Sequence, residues 1–233
     1  MRIDKYLSDC GFGTRKEVKA LIKSGRASIG GELVKDAGML VDSKIKVEVD
    51  GKTAVYREFV YIMMNKPQGY ISATEDRKYP VVTDILSDEY GRFAPAPVGR
   101  LDIDTEGLLI LTNDGKLNHA LTSPKKNIYK KYFAILDKDA DESDIQAFAD
   151  GMEFKDFTAK SAVLEICENK KEVYISIAEG KFHQVKRMCE CVGKNVVYLK
   201  RVSMGDLKLD ESLKTGEYRE LTETETEILK KSC

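Results

Sequence analysis

One short segment of the sequence combines an arginine with three carboxylates between two glycines, Gly99-Arg100-Leu101-Asp102-Ile103-Asp104-Thr105-Glu106-Gly107. The apolar run 108–111 follows it directly and predicts a buried strand. A carboxylate at the entry to a core strand is held in position, and such a group can act as a nucleophile or as a general acid or base. The segment 99–107 is therefore the first candidate for a catalytic site.

The residues of this segment allow three interpretations. The first is a solvated acidic turn. The second is a calcium loop, because Asp102, Asp104, Glu106 and Gly107 match the first, third, fifth and sixth positions of an EF-hand loop, although Asn113 stands where the twelfth position requires Glu. The third interpretation is catalysis by one of the three acids.

The elements predicted around this segment mix strands and helices irregularly. Hydrophobic patterning predicts strands over 59–64, 70–71, 129–136 and 196–202, a hairpin of 161–168 with 172–178, and helices over 117–121, 141–149 and 183–192. A capping box at Thr222 predicts one more short helix. Because regular strand–helix–strand alternation is absent from the pattern, we expect an α+β fold with a mostly antiparallel mixed sheet.

The first part of the chain predicts a smaller unit of two short helices followed by short strands. A capping box, Thr14 with Glu17, begins the second helix. Strands are predicted at 27–29 and 45–49, each closed by a glycine-containing turn. Polar residues near 53–58 then separate this region from the next apolar run. We therefore predict a small α/β domain over residues 1–56 and a larger domain over residues 57–233.

Basic charge is concentrated at the start of the chain, although the net charge of the whole chain is −1. Residues 1–30 contain three acids and seven basic residues, namely Arg2, Lys5, Arg15, Lys16, Lys19, Lys23 and Arg26. Arg15, Lys19 and Lys23 are four residues apart, so they line one side of a helix. This face can contact the phosphates of a nucleic acid; the alternative is a basic face that is merely solvated.

Composition excludes several other classes of protein. A chain of 233 residues with 42% hydrophobic residues can bury a core, but no apolar run approaches the ~20 residues that a membrane helix needs. The first residues show no signal-peptide pattern. The five cysteines, Cys10, Cys167, Cys189, Cys191 and Cys233, lack paired zinc-ligand spacing. We expect reduced thiols in a cytoplasmic protein, with no metal and no membrane association.

Four motifs occur in an order that resembles the pseudouridine synthases of the branch that modifies ribosomal RNA. Gly99–Asp102 followed by Thr105-x-Gly107-Leu108 resembles the catalytic motif. The other three motifs of this branch have counterparts in Asn65–Gly69, Lys130–Tyr132 and Glu179–Met188. The start of the chain resembles an S4 RNA-binding domain. Residues 183–188 and 216–219 resemble the RsuA-type group, which acts on the small ribosomal subunit. The resemblance covers nearly the whole chain and implies an S4 domain followed by a pseudouridine synthase domain.

The resemblance implies specific roles around one uridine. Asp102 is the catalytic carboxylate, and Lys186 pairs with it and keeps it ionised, with Arg187 as the alternative partner. Tyr132 stacks on the target uracil and is a candidate to accept the C5 proton. Because the target base lies in folded RNA, it must be flipped out of its stack. Arg100 is the candidate to fill the resulting gap or to hold a phosphate.

The resemblance also implies a partner and a set of RNA contacts. The expected partner is ribosomal RNA, bound by a monomer without any cofactor, because the isomerisation needs neither redox chemistry nor a group donor. Besides Arg100, the predicted RNA-binding residues are Lys66, Gln184 and Arg187 in the second domain, and Arg2, Lys5, Arg15, Lys19 and Arg26 in the first.

Three alternatives to a small-subunit enzyme remain at this point. The first is a pseudouridine synthase that acts on the large ribosomal subunit. The second is an S4-type protein that binds rRNA during assembly without catalysis, although pure binding does not require Asp102, Tyr132 and Lys186 together. The third is a nucleosidase, for which Asp104 or Glu106 would supply the second carboxylate.

Overall fold

Two separate hydrophobic cores divide the chain. The computed structural model describes residues 1–42, 44–54 and 56–232. The first unit consists of Met1–Val60 with Asp88–Phe93, and the second of Tyr61–Ser87 with residues 94–232. The boundary predicted near 53–58 includes Val55, which lies outside the described residues, and the division at residue 56 stays a prediction.

The first unit contains α1 (Ile3–Asp9), α2 (Arg15–Lys23), β1 (Ala27–Ile29), β2 (Glu32–Leu33), β3 (Val47–Val49), β4 (Lys52–Ala54) and α3 (Asp88–Gly91). The strands form an antiparallel sheet in the order β2-β1-β3-β4. The capping box is present: Glu17 N–H donates to the Thr14 side chain, and Thr14 N–H donates to the Glu17 carboxylate. Ile45 precedes the strand that was predicted to include it, since β3 starts two residues later.

Helix α1 and helix α2 bury one face each, and this gives the first unit its core. Ile3, Tyr6 and Leu7 of α1 pack in one cluster with Val18 and Ile22 of α2. The spacing of three and four residues places these side chains on one side of each helix. The opposite side of α2 therefore faces solvent, and Arg15, Lys16, Lys19 and Lys23 are exposed there.

The second unit has a longer series of elements. Its strands are β5 (Tyr61–Lys66), β6 (Ala96–Pro97), β7 (Glu106–Thr112), β8 (Lys130–Leu136), β9 (Met152–Glu153), β10 (Thr158–Ala159), β11 (Val163–Ile166), β12 (Glu172–Ile177), β13 (Val196–Met204), β14 (Leu207–Lys208) and β15 (Tyr218–Glu220). Its helices are α4 (Gly115–Thr122), α5 (Glu142–Asp150), α6 (Gln184–Cys191) and α7 (Glu223–Lys231), with 3-10 turns at Val82–Ile85 and Pro124–Lys126.

The central sheet of the second unit has the strand order β11-β12-β8-β13-β7-β5-β15. Its neighbouring strands are antiparallel except for β13 and β7, which are parallel. The expected α+β fold with a mostly antiparallel mixed sheet is thereby confirmed. The predicted strand at 70–71 is wrong: only an isolated bridge joins Ile71 to Val81, because the chain turns away after the Gly69 turn.

The middle strands β5 and β7 are buried along almost their whole length. Residues 62–66 and 107–112 are all buried, because both faces of the sheet are covered at this position. Gly107 is required where β7 begins: its φ is +102°, and a Cβ atom there would lie 2.2 Å from the carbonyl oxygen of Arg201 on β13. The acidic segment before Gly107 therefore leads into a strand that is buried on both faces.

Within the described ranges, every helix is too short or too polar to span a lipid bilayer. Cys10, Cys167, Cys189 and Cys191 are free thiols there, and Cys233 lies outside the described residues. No group of three or more His, Cys, Asp or Glu side chains in this part of the chain is arranged to hold a metal ion.

Candidate active site

The loop before β7 is held in place by a buried lysine. The Lys66 side chain, at the end of β5, is fully buried. Its ammonium donates hydrogen bonds to the carbonyl oxygens of Pro67 at 2.9 Å, Asp102 at 3.1 Å and Thr105 at 2.9 Å. Lys66 thus fixes the backbone on both sides of the acidic turn.

Further hydrogen bonds hold the same loop from the segment that follows β5. Gly69 N–H donates to the carbonyl of Ile103 at 2.8 Å. The Ser72 hydroxyl donates to the carbonyl of Leu101 and accepts from its N–H, both at 3.0 Å. The motif 65–69 therefore acts as a support for the acidic loop, and this makes Lys66 a scaffold residue. The RNA contact predicted for Lys66 does not occur in this arrangement, because a fully buried ammonium that is occupied by carbonyls cannot reach a phosphate.

Asp102 and Lys186 lie side by side, as the resemblance implied. The Lys186 ammonium is 3.6 Å from Asp102 Oδ2 and 2.5 Å from Asp104 Oδ1. Asp102 has 30% of its side chain exposed and Asp104 61%, so Asp102 is the better enclosed of the two. Lys186 therefore contacts both carboxylates and donates its hydrogen bond to Asp104, the more exposed of the two.

The charge of Asp104 depends on this lysine. Partial burial raises the pKa of Asp104, but the hydrogen bond and the charge of Lys186 outweigh it, so that the pKa is lowered from its ordinary value. Glu106 is engaged elsewhere, since its carboxylate accepts a hydrogen bond from the Tyr198 hydroxyl at 2.7 Å. Glu106 also does not line the cavity beside Asp102. This arrangement gives no support to a second carboxylate acting opposite Asp102.

His183 is a further member of the site that sequence reasoning left out. Its Nε2 atom is 3.7 Å from Asp102 Oδ1, and its ring stacks on Phe182 with the ring centroids 3.8 Å apart. His183 adopts the left-handed conformation with φ +51° at the start of α6. A usable signal was present, because His183 precedes Lys186 by three residues, a spacing that places two side chains on one helix face.

A small cavity of about 60 Å³ brings together side chains from three separate motifs. Arg100, Asp102, Tyr132, Gln184 and Lys186 all line it. Its apolar walls come from Leu101, Ile177, Val185 and Leu199. Tyr132 is buried on β8, with Lys130 and Ala134 on the same face of the strand. An aromatic ring, apolar walls and an acid–base pair together suit a planar base beside a reactive carboxylate.

The side chains that follow His183 have different surroundings. Gln184 is buried: its amide oxygen accepts from Lys181 N–H and its amide nitrogen donates to Glu179 Oε1, both at 3.0 Å. Gln184 thus holds the turn into α6, and it offers RNA little free hydrogen-bonding capacity. Arg187 forms a bidentate pair with Asp156, at 2.5 and 2.9 Å.

Arg187 is also stacked. Its guanidinium lies 4.6 Å from the ring centroids of both Phe154 and Phe157. These contacts hold Arg187 away from the role of alternative partner to Asp102, which Lys186 occupies. Arg100, by contrast, is exposed and lines the cavity, so its head group is available to a ligand.

The basic residues predicted for the first unit are on its surface. Lys5 and Arg15 are exposed, and so is Lys19, whose ammonium is 3.9 Å from Asp4. Arg2 forms a bidentate pair with the buried Asp4 carboxylate. Two of these cations are therefore partly neutralised by Asp4.

Arg26 is paired in a similar way. Its guanidinium contacts the Asp50 carboxylate, and both side chains are about half exposed. An exposed pair of this kind is weakly bound and can exchange its partner for a phosphate. The RNA contacts predicted for the first unit stay predictions.

Comparison with known proteins shows which family each part of the chain matches. Residues 60–191 match the RNA pseudouridylate synthase family, and residues 1–44 match the S4 domain. The "Uncharacterized RNA pseudouridine synthase YtzG" of Bacillus subtilis (strain 168) is 49% identical, and the alignment covers 98% of each chain. The "Ribosomal small subunit pseudouridine synthase A" of Escherichia coli (strain K12) is 38% identical over 97% of this chain and 98% of its own.

A solved structure shares the fold over the same length. The "Crystal structure of pseudouridylate synthase" superimposes with a TM-score of 0.70 at 35% identity, and the match covers 98% of this chain and 99% of that one. The matches in sequence and in structure thus extend over nearly the whole chain. The chain belongs to the RNA pseudouridylate synthase family and joins an S4 domain to the catalytic domain of that family.

Proposed function

We propose that this enzyme isomerises a specific uridine of small-subunit ribosomal RNA to pseudouridine, with Asp102 as the catalytic carboxylate. The observation that carries the assignment of Asp102 is its place in the cavity: it lies within 4 Å of Lys186 and of His183, and Tyr132 lines the same cavity. The choice of RNA is supported by the name of the Escherichia coli relative, which aligns over nearly the full length of both chains.

The reaction moves one bond and balances without a cofactor. The glycosidic bond between N1 and C1′ breaks, the uracil turns, and C5 bonds to C1′; C5 then loses its proton and N1 gains one. An ionised carboxylate beside the ribose and base is suited to start this exchange as a nucleophile or base. The Lys186 ammonium is 3.6 Å from Asp102 Oδ2, close enough to orient this carboxylate toward the substrate.

Tyr132 and the apolar walls hold the flipped base. Leu101, Val185 and Leu199 offer dispersion contacts to a planar ring, and the Tyr132 ring offers a stacking surface. The unstacking costs about a few kcal/mol, and contacts inside the cavity offset it. Arg100 is exposed and lines the cavity. It would contact the part of the RNA stack from which the uridine has been flipped out.

The test is pseudouridine mapping of both ribosomal RNAs from cells that lack the protein, repeated after complementation. We expect one small-subunit position to lose its pseudouridine and to regain it with the wild-type gene. The variant Asp102→Asn should not restore it, with a loss of at least about 10³-fold in single-turnover rate, while RNA affinity stays within about threefold.

The matched control is Asp104→Asn, because Asp104 lies two residues farther along the same loop and is more exposed than Asp102. Its single-turnover rate should stay within about tenfold of the wild-type rate, because Lys186 remains beside Asp102. Turnover by Asp102→Asn would refute the role of Asp102. Loss of pseudouridine from the large-subunit RNA alone would refute the choice of substrate and leave the chemistry intact.

A further inference from the structure

A second, larger cavity lies next to the one that holds Asp102. Its volume is about 340 Å³, which falls within the range of ligand pockets. Arg100, Tyr132 and Lys181 line both cavities. The deeper wall of the second cavity comes from Lys130, Arg201 and Glu179. We call it the Lys130–Arg201 cavity.

Arg201, on β13, has a hydrogen-bond donor that is not used. Its side chain is buried, with 2% of the residue exposed. Nε donates to the carbonyl of Leu108 at 2.8 Å, but the buried Nη2 has no hydrogen-bond partner among the residues that the structure describes. Leaving a buried charged donor unmet is costly, and native proteins seldom do so without a ligand or a functional reason.

Lys130, on β8, adds a second buried cation. Only 9% of the residue is exposed, and within the described ranges its ammonium forms neither a hydrogen bond nor an ion pair. Burial and, to a smaller extent, the charge of Arg201 lower the pKa of Lys130 to about 8, and the charge of Glu179 opposes this only in part. Two cations therefore repel each other inside one cavity.

The acid that lines this cavity offsets their charge only in part. Glu179 lies on the wall, but its Oε1 atom accepts hydrogen bonds from Lys160 N–H at 2.9 Å and from Gln184 at 3.0 Å. Glu179 thus serves the turn into α6. The cavity is lined by four basic side chains and this single acid, since Arg100 and Lys181 also contribute to it. An anion in the cavity would offset this excess of positive charge, and the guanidinium of Arg201, which has an unused donor, lies on its wall.

We propose that the Lys130–Arg201 cavity binds a backbone phosphate of the RNA strand, next to the nucleotide that enters the Asp102 cavity. The proposal rests on the function proposed above. A phosphate offers several acceptor oxygens to a guanidinium and an ammonium, which are its usual partners in proteins. The shared walls favour a phosphate of the same strand, because a nucleotide in the first cavity carries its phosphodiesters into the neighbouring space. Free inorganic phosphate has the same chemistry and is the alternative source.

The test compares Lys130→Met with Lys131→Met in the full-length protein. The two lysines are neighbours on β8, but Lys131 lies on the other face of the strand and pairs with Glu165. RNA affinity is measured as a function of salt. We expect Lys130→Met to bind about three- to tenfold more weakly and to lower the slope of log affinity against log salt by about one phosphate contact. Lys131→Met should resemble the wild type, and Lys130→Arg should restore the slope.

A second measurement separates the two sources of phosphate. Thermal unfolding is followed in sodium phosphate and in sodium chloride at equal ionic strength. In chloride, Lys130→Met should be at least as stable as the wild type, because the repulsion with Arg201 is gone. Phosphate should raise the wild-type melting temperature more than that of the variant. If Lys130→Met does not fold, Lys130→Gln, which keeps a polar head group, takes its place.

Each outcome decides the proposal. A changed salt slope together with a phosphate-dependent stabilisation supports it. A phosphate effect on stability with an unchanged salt slope overturns it in favour of free phosphate. No effect in either measurement overturns it entirely. Pseudouridine formation is measured in the same samples: a wild-type protein that modifies no rRNA refutes the proposed function, while the salt slope and the melting curves still report on the cavity.

Discussion

The two units of the protein place lysine and arginine side chains in opposite environments. In the first unit, Arg15, Lys16, Lys19 and Lys23 are exposed on helix α2. In the second unit, the exposed fraction is 0% for Lys66, 9% for Lys130 and 2% for Arg201. An exposed cation attracts phosphates from a distance, and salt screens that attraction. A buried cation fixes nearby atoms and is hardly screened.

This difference separates docking from chemistry. Cations on a solvated helix can meet many RNA phosphates without a fixed geometry. Lys66, in contrast, holds the two ends of the Asp102 loop through its bonds to carbonyl oxygens. Placing a charge inside the protein is expensive, and the hydrogen bonds that the ammonium donates to carbonyl oxygens offset part of this cost. The following three experiments, from the largest expected effect to the smallest, test whether this division holds.

The largest effect is expected for Lys66→Met. This change removes the ammonium that donates to the carbonyl oxygens of Pro67, Asp102 and Thr105, so the free energy of unfolding should fall by about 2–4 kcal/mol. Denaturant unfolding measures this loss, and the rate of pseudouridine formation should fall with it because Asp102 loses its support. The control, Lys23→Met on exposed α2, should change the free energy of unfolding by less than about 0.5 kcal/mol. Equal losses of unfolding free energy for Lys66→Met and Lys23→Met would contradict the difference between buried and exposed lysines.

An intermediate effect is expected for the double variant Arg15→Gln with Lys19→Gln. Removing two exposed charges should lower RNA affinity by about three- to tenfold at moderate salt and reduce the salt slope by about two contacts. The melting temperature should stay nearly constant, since both side chains are solvated. Fluorescence anisotropy with rRNA fragments at several salt concentrations measures this. Lys170→Gln, an exposed charge in the hairpin turn of the second unit, is the matched control, and an equal loss of affinity there would show that the first unit has no special role.

The smallest effect is expected from a matched pair of helix caps, Thr14→Ala in the first unit and Thr222→Ala in the second. Both threonines begin a helix with the same capping box. Each substitution should cost about 1 kcal/mol. Hydrogen exchange should therefore accelerate in α2 for Thr14→Ala and in α7 for Thr222→Ala. Acceleration of both helices by either variant would show that the two units do not respond separately.

Regular patterns in the sequence were sufficient to predict much of the fold. The strands β5, β8 and β13, the hairpin of β11 with β12 and the helix α6 all lie where patterning placed them within a few residues. Short elements were missed, among them β15, which pairs with β5 at the edge of the sheet. A strand of three residues has too few alternating positions to stand out, and its partner is distant in the sequence.

The sequence predicted which residues belong to the candidate site better than it predicted the contacts between them. Asp102, Tyr132 and Lys186 belong to motifs that the sequence displays, and the structure brings them to one cavity. The hydrogen bond of Lys186 to Asp104, the closeness of His183 and the burial of Lys66 did not follow from those motifs. Each depends on side-chain positions set by strands that are far apart in the chain.

By itself, the sequence determined the fold class, the order of the two domains and the family of the enzyme, because periodicity, caps and motifs are local properties of the chain. Only the tertiary structure decided which charges are buried and which are exposed. Nothing adjacent to Lys66, Lys130 or Arg201 in the sequence distinguishes them from a solvated lysine or arginine. Their environment is created when β5, β7, β8 and β13 come together in one sheet, and the electrostatic energy of a charge depends on that environment.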